Sequence, residues 1–217
     1  VPATLVHLVR HGEVHNPDGI LYGRIPGYHL SELGQRMAAA AAKQLAGHPV
    51  TALYASPLQR AQESAQPWSE AFKLPITTDE RLIEPHNKFE GKKFEFGPQV
   101  LTKPQSWPWI LNPMRPSWGE PFTSVADRMM AAIEDAHASV DDGEVVMVSH
   151  QMPIVMVQRF LSGRKLYHDP RKRRCSLSSI TTLALRDPAE AGPRFVEVNY
   201  QDPASELLAQ SIDFGAV

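Results

Sequence analysis

Short unbroken runs of apolar, often β-branched residues alternate along this chain with longer segments whose apolar residues recur every three or four positions. Strands buried on both faces of a parallel sheet read as continuous apolar runs. Helices that cover such a sheet show a single apolar stripe. The first run predicts a strand over Thr4–Val9. Ser31 then stands where an N-cap belongs, ahead of an alanine-rich helix over Glu32–Leu45 that stops at Gly47-His48-Pro49. A second strand is predicted over Thr51–Ala55. Ser56 as N-cap and Pro57 at the first helical position open a helix to about Phe72, and Ile76–Thr78 is a short third strand.

Helical periodicity returns over Ser124–Ser139, and Glu144–Val148 has the continuous apolar character of a central strand. A helix over Pro153–Leu161 and strands over Ser178–Ala184 and Phe195–Asn199 complete the pattern. This order predicts an α/β fold: three layers, α/β/α, around a mostly parallel central sheet. No repeat or linker divides it, so residues 1–217 read as a single domain.

Periodicity is absent from Glu84 to Phe122, where Trp107, Trp109 and Trp118 stand among seven prolines. A segment of such length without elements of its own packs as a cap or carries function, so residues 85–122 read as an irregular cap or insert. Residues 203–217 read as a tail whose apolar positions dock on this subunit or on a second copy in a homodimer.

Charge narrows the partners. Twenty-two basic against 24 acidic residues give a formal net charge of −2, which offers no global attraction to nucleic acid or anionic membrane. The lone cysteine, Cys175, cannot form an internal disulfide, which fits a reducing compartment. With no run of membrane-spanning length and no signal-peptide pattern, the expected location is the cytoplasm.

The chemistry collects at strand ends. His11 and His150 each lie just beyond an apolar run, and in open parallel sheets ligands gather at the carboxyl ends of the strands. One such histidine is ordinarily structural; two at neighbouring strand ends can meet over one crevice. Arg60 falls in the first turn of its helix, where the dipole disfavours a cation unless an anion sits beside it. A surface pairing with Glu63 is the plainer account. With Arg10 and His11 at hand, phosphate explains it better, because guanidinium forks match phosphate oxygens.

A neutral His11 would attack phosphorus, while Arg10, Arg60 and a protonated His150 balance charge on the transferring group. A carboxylic acid would protonate the departing oxygen and later deprotonate water. No metal or other cofactor is needed. His7, His11 and His15 are spaced by four, but no further ligand pattern completes a metal site. The basic run Arg171–Arg174 reads as a solvated turn or as a rim that steers anions.

Several of these segments resemble the histidine phosphatase superfamily, the phosphoglycerate-mutase-like proteins. Arg10-His11-Gly12 is similar to its signature, whose histidine becomes phosphorylated. Ser56 through Ala61 resembles its Ser-x-x-x-Arg-Ala turn, His150 holds the place of its second histidine, and Leu30 to Gly34 resembles its Leu-Thr-x-x-Gly helix start. Leu82-x-Glu84 ahead of Glu90-Gly91 looks like the segment that supplies the general acid in the branch with a glutamate acid, which makes Glu84 the first candidate, Glu90 the second and Glu13 the third. Gln151, in place of the aspartate of the acid-phosphatase and phytase branch, argues against that branch; it also stands where glycine is usual.

The resemblance implies Asn16 as a phosphate ligand, and Gly23 and Gln151 as further substrate-binding candidates. The expected activity is a metal-independent phosphatase that hydrolyses small phosphomonoesters through phospho-His11. A phosphoglycerate-type mutase is the nearest alternative, and an inert phosphate-binding module is an alternative of another class.

Overall fold

The structure is a computed structural model that describes residues 2–88, 90–91 and 119–213. Its strands are β1 (Leu5–Arg10), β2 (Val50–Ala55), β3 (Ile76–Thr78), β4 (Glu144–Ser149), β5 (Ile180–Leu185) and β6 (Phe195–Gln201). Its helices are α1 (Glu32–Gln44), α2 (Gln59–Phe72), α3 (Phe122–Ala138), α4 (Gln151–Leu161) and the short α5 (Ser205–Leu208). The strands form one six-stranded sheet in the order β3-β2-β4-β1-β5-β6. β3, β2, β4 and β1 run parallel, while β5 is antiparallel to β1 and β6 to β5. The mixed α/β class and the mostly parallel sheet agree with the sequence reading.

The layers explain why β4 is apolar throughout. Val145 and Met147 pack with α3 and α4 on one face, among Val125, Met129, Ile133, Ile154 and Met156. Val146 and Val148 pack on the other face with Ala41, Leu45, Ala61, Ala65 and Trp68 of α1 and α2. Every second residue serves a different core, so neither face tolerates a polar side chain. Beyond β6, Ala204, Leu207 and Leu208 pack against Leu33 and Met37 of α1 and Leu177, so this part of the expected tail docks on its own chain.

Register places the strand ends together. β1 and β4 pair from Leu5↔Glu144 to Arg10↔Ser149, and β2 joins β4 with Ala55 opposite Val148. The residues that follow, His11, His150 and Ser56, therefore leave three adjacent strands at the same edge.

Three helix starts differ from the sequence expectation, and α3 opens at Phe122, two residues before Ser124. α2 begins at Gln59 with Leu58 as its N-cap, instead of opening on Ser56 and Pro57. The Ser56 hydroxyl serves both sides of this junction, lying 2.7 Å from His150 Nε2 and accepting the Leu58 N–H at 3.4 Å in a turn that precedes the helix. α4 starts at Gln151, with His150 as its cap and Pro153 in its first turn, where a missing N–H costs nothing. Of the irregular stretch, the ends are held together: Asn87 bridges Gly119, and Glu120 N–H donates to the His86 carbonyl at 3.3 Å. Trp107, Trp109 and Trp118 lie outside the described residues.

The loop after β1 is clamped to the start of α1. A Cβ on Gly34 would lie 2.0 Å from the Glu13 carbonyl oxygen, and one on Gly12 would lie 2.3 Å from the Gly34 oxygen. Both contacts are backbone, so no flexible group can yield. Gly34→Ala is expected to cost about 1–3 kcal/mol and to lower Tm by several degrees in a thermal melt monitored by circular dichroism.

Candidate active site

Arg10 closes β1 and His11 follows it; both are fully buried. The His11 backbone is pinned from two sides, its N–H donating to the Ser149 carbonyl (3.1 Å) and its carbonyl accepting from Ser178 N–H (3.2 Å). Ser64 of α2 accepts the Gly12 N–H at 3.0 Å. Within this frame His11 Nδ1 lies 2.8 Å from the Gly12 carbonyl oxygen. A carbonyl can only accept, so Nδ1 carries the proton and Nε2 presents a lone pair. That Nε2 is buried and has no hydrogen-bond partner among the described residues.

His150 faces His11 across the crevice, with ring centroids 5.1 Å apart. The Ser56 hydroxyl holds its Nε2, and its Nδ1 lies 3.7 Å from Glu84 Oε2, outside hydrogen-bond reach. Glu84 is brought in by the turn after β3: Ser149 Oγ–H donates to the Leu82 carbonyl (2.7 Å), and Arg24 Nε donates to the Glu84 carbonyl (2.6 Å). Both Glu84 carboxyl oxygens are buried without a hydrogen-bond partner among the described residues. Arg60, in the first turn of α2, stacks over the Tyr22 ring at 4.7 Å and donates from Nη2 to the Gly23 carbonyl at 2.7 Å.

The electrostatics follow from burial. Burial first, and then the charges of Arg60 and Arg10, hold the His11 pKa well below its ordinary value, so the imidazole is neutral at pH 7. His150 is depressed by burial, then Arg60 and His11. That direction favours a neutral His150 in the free pocket, whereas the sequence reading expected it protonated. Burial raises the Glu84 pKa against the opposing pull of Arg60, Arg173 and Arg10. A carboxyl displaced in that direction holds its proton to higher pH, which suits a general acid.

The other sequence candidates fall around this centre. Glu13 accepts from Ser31 Oγ–H and the Ile212 N–H, both at 2.6 Å, and Glu90 accepts the Asn87 N–H at 2.9 Å; neither carboxylate stands beside His150 as Glu84 does. Asn16 engages Ile20 at both ends of its amide and so shapes its own loop. Gly23 acts through its carbonyl on Arg60. Gln151, the first residue of α4, accepts from Arg173 Nη1 at 3.2 Å and donates to the Cys175 carbonyl at 3.4 Å. Arg173 thus turns inward from the basic run, whereas Arg171, Lys172 and Arg174 stay exposed.

A contact that the sequence did not signal is the one between Arg10 and Asp213. Arg10 donates Nη1 to Oδ2 (2.9 Å) and Nη2 to Oδ1 (2.6 Å), a bidentate pair, and a second Nη1 bond reaches the Cys175 carbonyl (2.7 Å). Burial alone would lower the Arg10 pKa, but the charge of Asp213 reverses this and holds it above its ordinary value. The Asp213 carboxylate occupies the geometry in which a guanidinium fork grips phosphate.

The family model of the histidine phosphatase superfamily (branch 1) matches residues 6–201. The chain belongs to that superfamily. It is 48% identical to an uncharacterised protein of Mycobacterium tuberculosis over 93% of this chain and 98% of that one. It is 31% identical to phosphoserine phosphatase 1 of Hydrogenobacter thermophilus over 68% of this chain and 71% of that one. The fold is similar to that of mycobacterial glucosyl-3-phosphoglycerate phosphatase, with a TM-score of 0.71 at 24% identity, covering 89% of this chain and 96% of that one. Among the described residues no helix is long and apolar enough to cross a membrane.

Two outcomes follow for a histidine phosphatase with this pocket. His11 and His150 take up protons near pH 6.5 when unfolded and only at lower pH when folded, so the unfolded chain binds more protons below that point and stability falls with pH. Glu84 has the opposite sign: its raised pKa favours the folded state at low pH, and that contribution is lost as pH rises through the folded value. Urea unfolding of His11→Asn should therefore show a smaller loss of stability between pH 7.5 and 5.5 than the wild type. In Asp213→Asn, removal of the competing carboxylate should tighten inhibition by inorganic phosphate by roughly three- to tenfold, as one charge-assisted pair no longer has to be displaced.

Proposed function

We propose that this chain is a metal-independent phosphatase that hydrolyses small phosphomonoesters through a phosphohistidine on His11. The observation that carries the proposal is the His11 tautomer: Nδ1 is tied to the Gly12 carbonyl, and the Nε2 lone pair is buried without a hydrogen-bond partner among the described residues, beside the His150 ring and within the field of Arg60 and Arg10. Nε2 attacks phosphorus and the P–O bond to the leaving group breaks. The Glu84 carboxyl gives its proton to the departing oxygen. The resulting Glu84 carboxylate then takes a proton from water as that water attacks the phosphohistidine, the N–P bond breaks, and phosphate leaves with His11 restored.

Arg60 and Arg10 grip the equatorial oxygens, which for Arg10 means exchanging Asp213 for phosphate. With Ser56 donating to its Nε2, His150 offers an Nδ1–H to the same oxygens. The likeness to a phosphoserine phosphatase over two thirds of the chain favours hydrolysis over transfer to a second acceptor.

The test is phosphate release from a panel that includes phosphoserine, 3-phosphoglycerate and glucosyl-3-phosphoglycerate, with chelator present, for wild type and His11→Ala. Turnover that withstands chelator and falls by at least about 10³-fold in the variant supports the reading. Phosphate exchange between phosphoglycerates without net release would point to a mutase, and tight binding without either reaction to a binding module; each would overturn the proposal.

A further inference from the structure

Three of the chain's polar side chains meet at the end of the sheet opposite the phosphate pocket. His7 on β1, His48 in the turn before β2 and Glu144 at the start of β4 each direct a ligand atom to one point, and these atoms lie within 4.8 Å of one another. Glu144 Oε2 is 2.7 Å from His7 Nε2 and 2.9 Å from His48 Nδ1. His7 and Glu144 are almost fully buried, whereas the His48 side chain is 42% exposed and opens the cluster to solvent. Four residues of strand separate His7 from His11, roughly 13 Å, so the cluster stands apart from the phosphoryl chemistry.

We propose that His7, His48 and Glu144 form a binding site for a divalent transition-metal cation of the zinc class. Two imidazoles and a carboxylate with a water in the fourth position are a donor set such ions favour. Bond lengths of about 2.0–2.2 Å around a tetrahedral ion put its ligand atoms roughly 3.4 Å apart, so Glu144 Oε2 needs to draw back from each imidazole by less than about 1 Å. The support around them is already built. His7 Nδ1 lies 2.9 Å from Thr182 Oγ1, a partner that orients the ring from behind as metal-bound histidines require.

The backbone ties the same elements together: Glu144 N–H donates to the Pro49 carbonyl (2.8 Å), and Val50 N–H to the His48 carbonyl (2.9 Å). Both imidazoles now present an N–H to Glu144. On binding, each proton moves to the other ring nitrogen, His7 then donating to Thr182 and His48 to water, so neutral imidazoles release no proton. The spacing of His7, His11 and His15 has no part in this site: His11 lies in the phosphate pocket, and His15 stacks on His29 with centroids 5.3 Å apart.

The experiment is titration of tag-free, chelator-treated protein with cobalt(II) and zinc(II), following the cobalt absorption bands and competition by zinc. The wild type should bind one ion per chain with the strong visible bands of four-coordinate cobalt and a dissociation constant of about 10 µM or tighter. A hundredfold excess of zinc over that constant should raise Tm by roughly 5–10 °C. His48→Ala, a half-exposed turn position that leaves the fold intact, should weaken binding at least tenfold and lose the Tm shift, while His29→Ala should keep both. Equal binding by wild type and His48→Ala, or no binding below about 100 µM, would overturn the proposal.

Discussion

The parallel pairing of β1 with β4 is the constraint from which the pocket follows. Because Arg10 stands opposite Ser149, the next residue of each strand is a histidine, and the His11 N–H is bonded to the Ser149 carbonyl. A shift of one residue in this register would send the alternating side chains of β4 into the wrong cores. Packing on both faces therefore fixes the separation of two side chains far apart in sequence. Val145 and Met147 on one side, and Val146 and Val148 on the other, make that register costly to change. The geometry of His11 and His150 is thus held by residues that never touch phosphate.

The price of this placement is electrostatic. Arg10 and Arg60 are buried beside two histidines and a carboxyl group, and an unpaired buried charge is strongly unfavourable. The chain answers with Asp213 for Arg10, and with the Tyr22 ring and the Gly23 carbonyl for Arg60. Burial first, and then the same positive field, keep His11 and His150 neutral, which is the state a nucleophilic imidazole needs. Glu84 resists it, since burial outweighs the arginines and leaves the carboxyl protonated to higher pH. In the proposed mechanism, acid and nucleophile are set apart in character by burial and neighbouring charge.

Legibility from sequence follows the range of each interaction. The strands and the residues at their ends were readable because an apolar run and what succeeds it are local facts. Arg10, His11, Arg60 and His150 all belong to that class, and Glu84 was reached through a resemblance carried by Leu82 and Glu84. Ser56 shows where local rules fall short: its hydroxyl accepts the Leu58 N–H in a turn and also engages His150, a distant residue, and the helix starts later at Gln59. Asn16, expected at the phosphate from the resemblance, also bonds Ile20 at both ends of its amide, a loop contact the sequence did not signal. Nothing near Asp213 announces a partner 203 positions away. The same holds for His7, whose neighbours His48 and Glu144 come from other strands' ends.

Arg10 joins these themes. Its fork is filled by a carboxylate whose two oxygens present the same edge as two oxygens of a phosphate, so Arg10 is neutralised by a group that, in the proposed mechanism, phosphate replaces one for one. Asp213 is suited to yield because its side chain is 39% exposed while Arg10 is fully buried. On displacement the carboxylate regains water, whereas a buried guanidinium left alone would regain nothing. The segment that carries Asp213 is anchored by Ala204, Leu207 and Leu208 on α1, and its Ile212 N–H is held by Glu13, two residues from His11. The exchange at Arg10 therefore asks for movement of a short stretch beyond that anchor, and leaves the sheet and both histidines where the register put them.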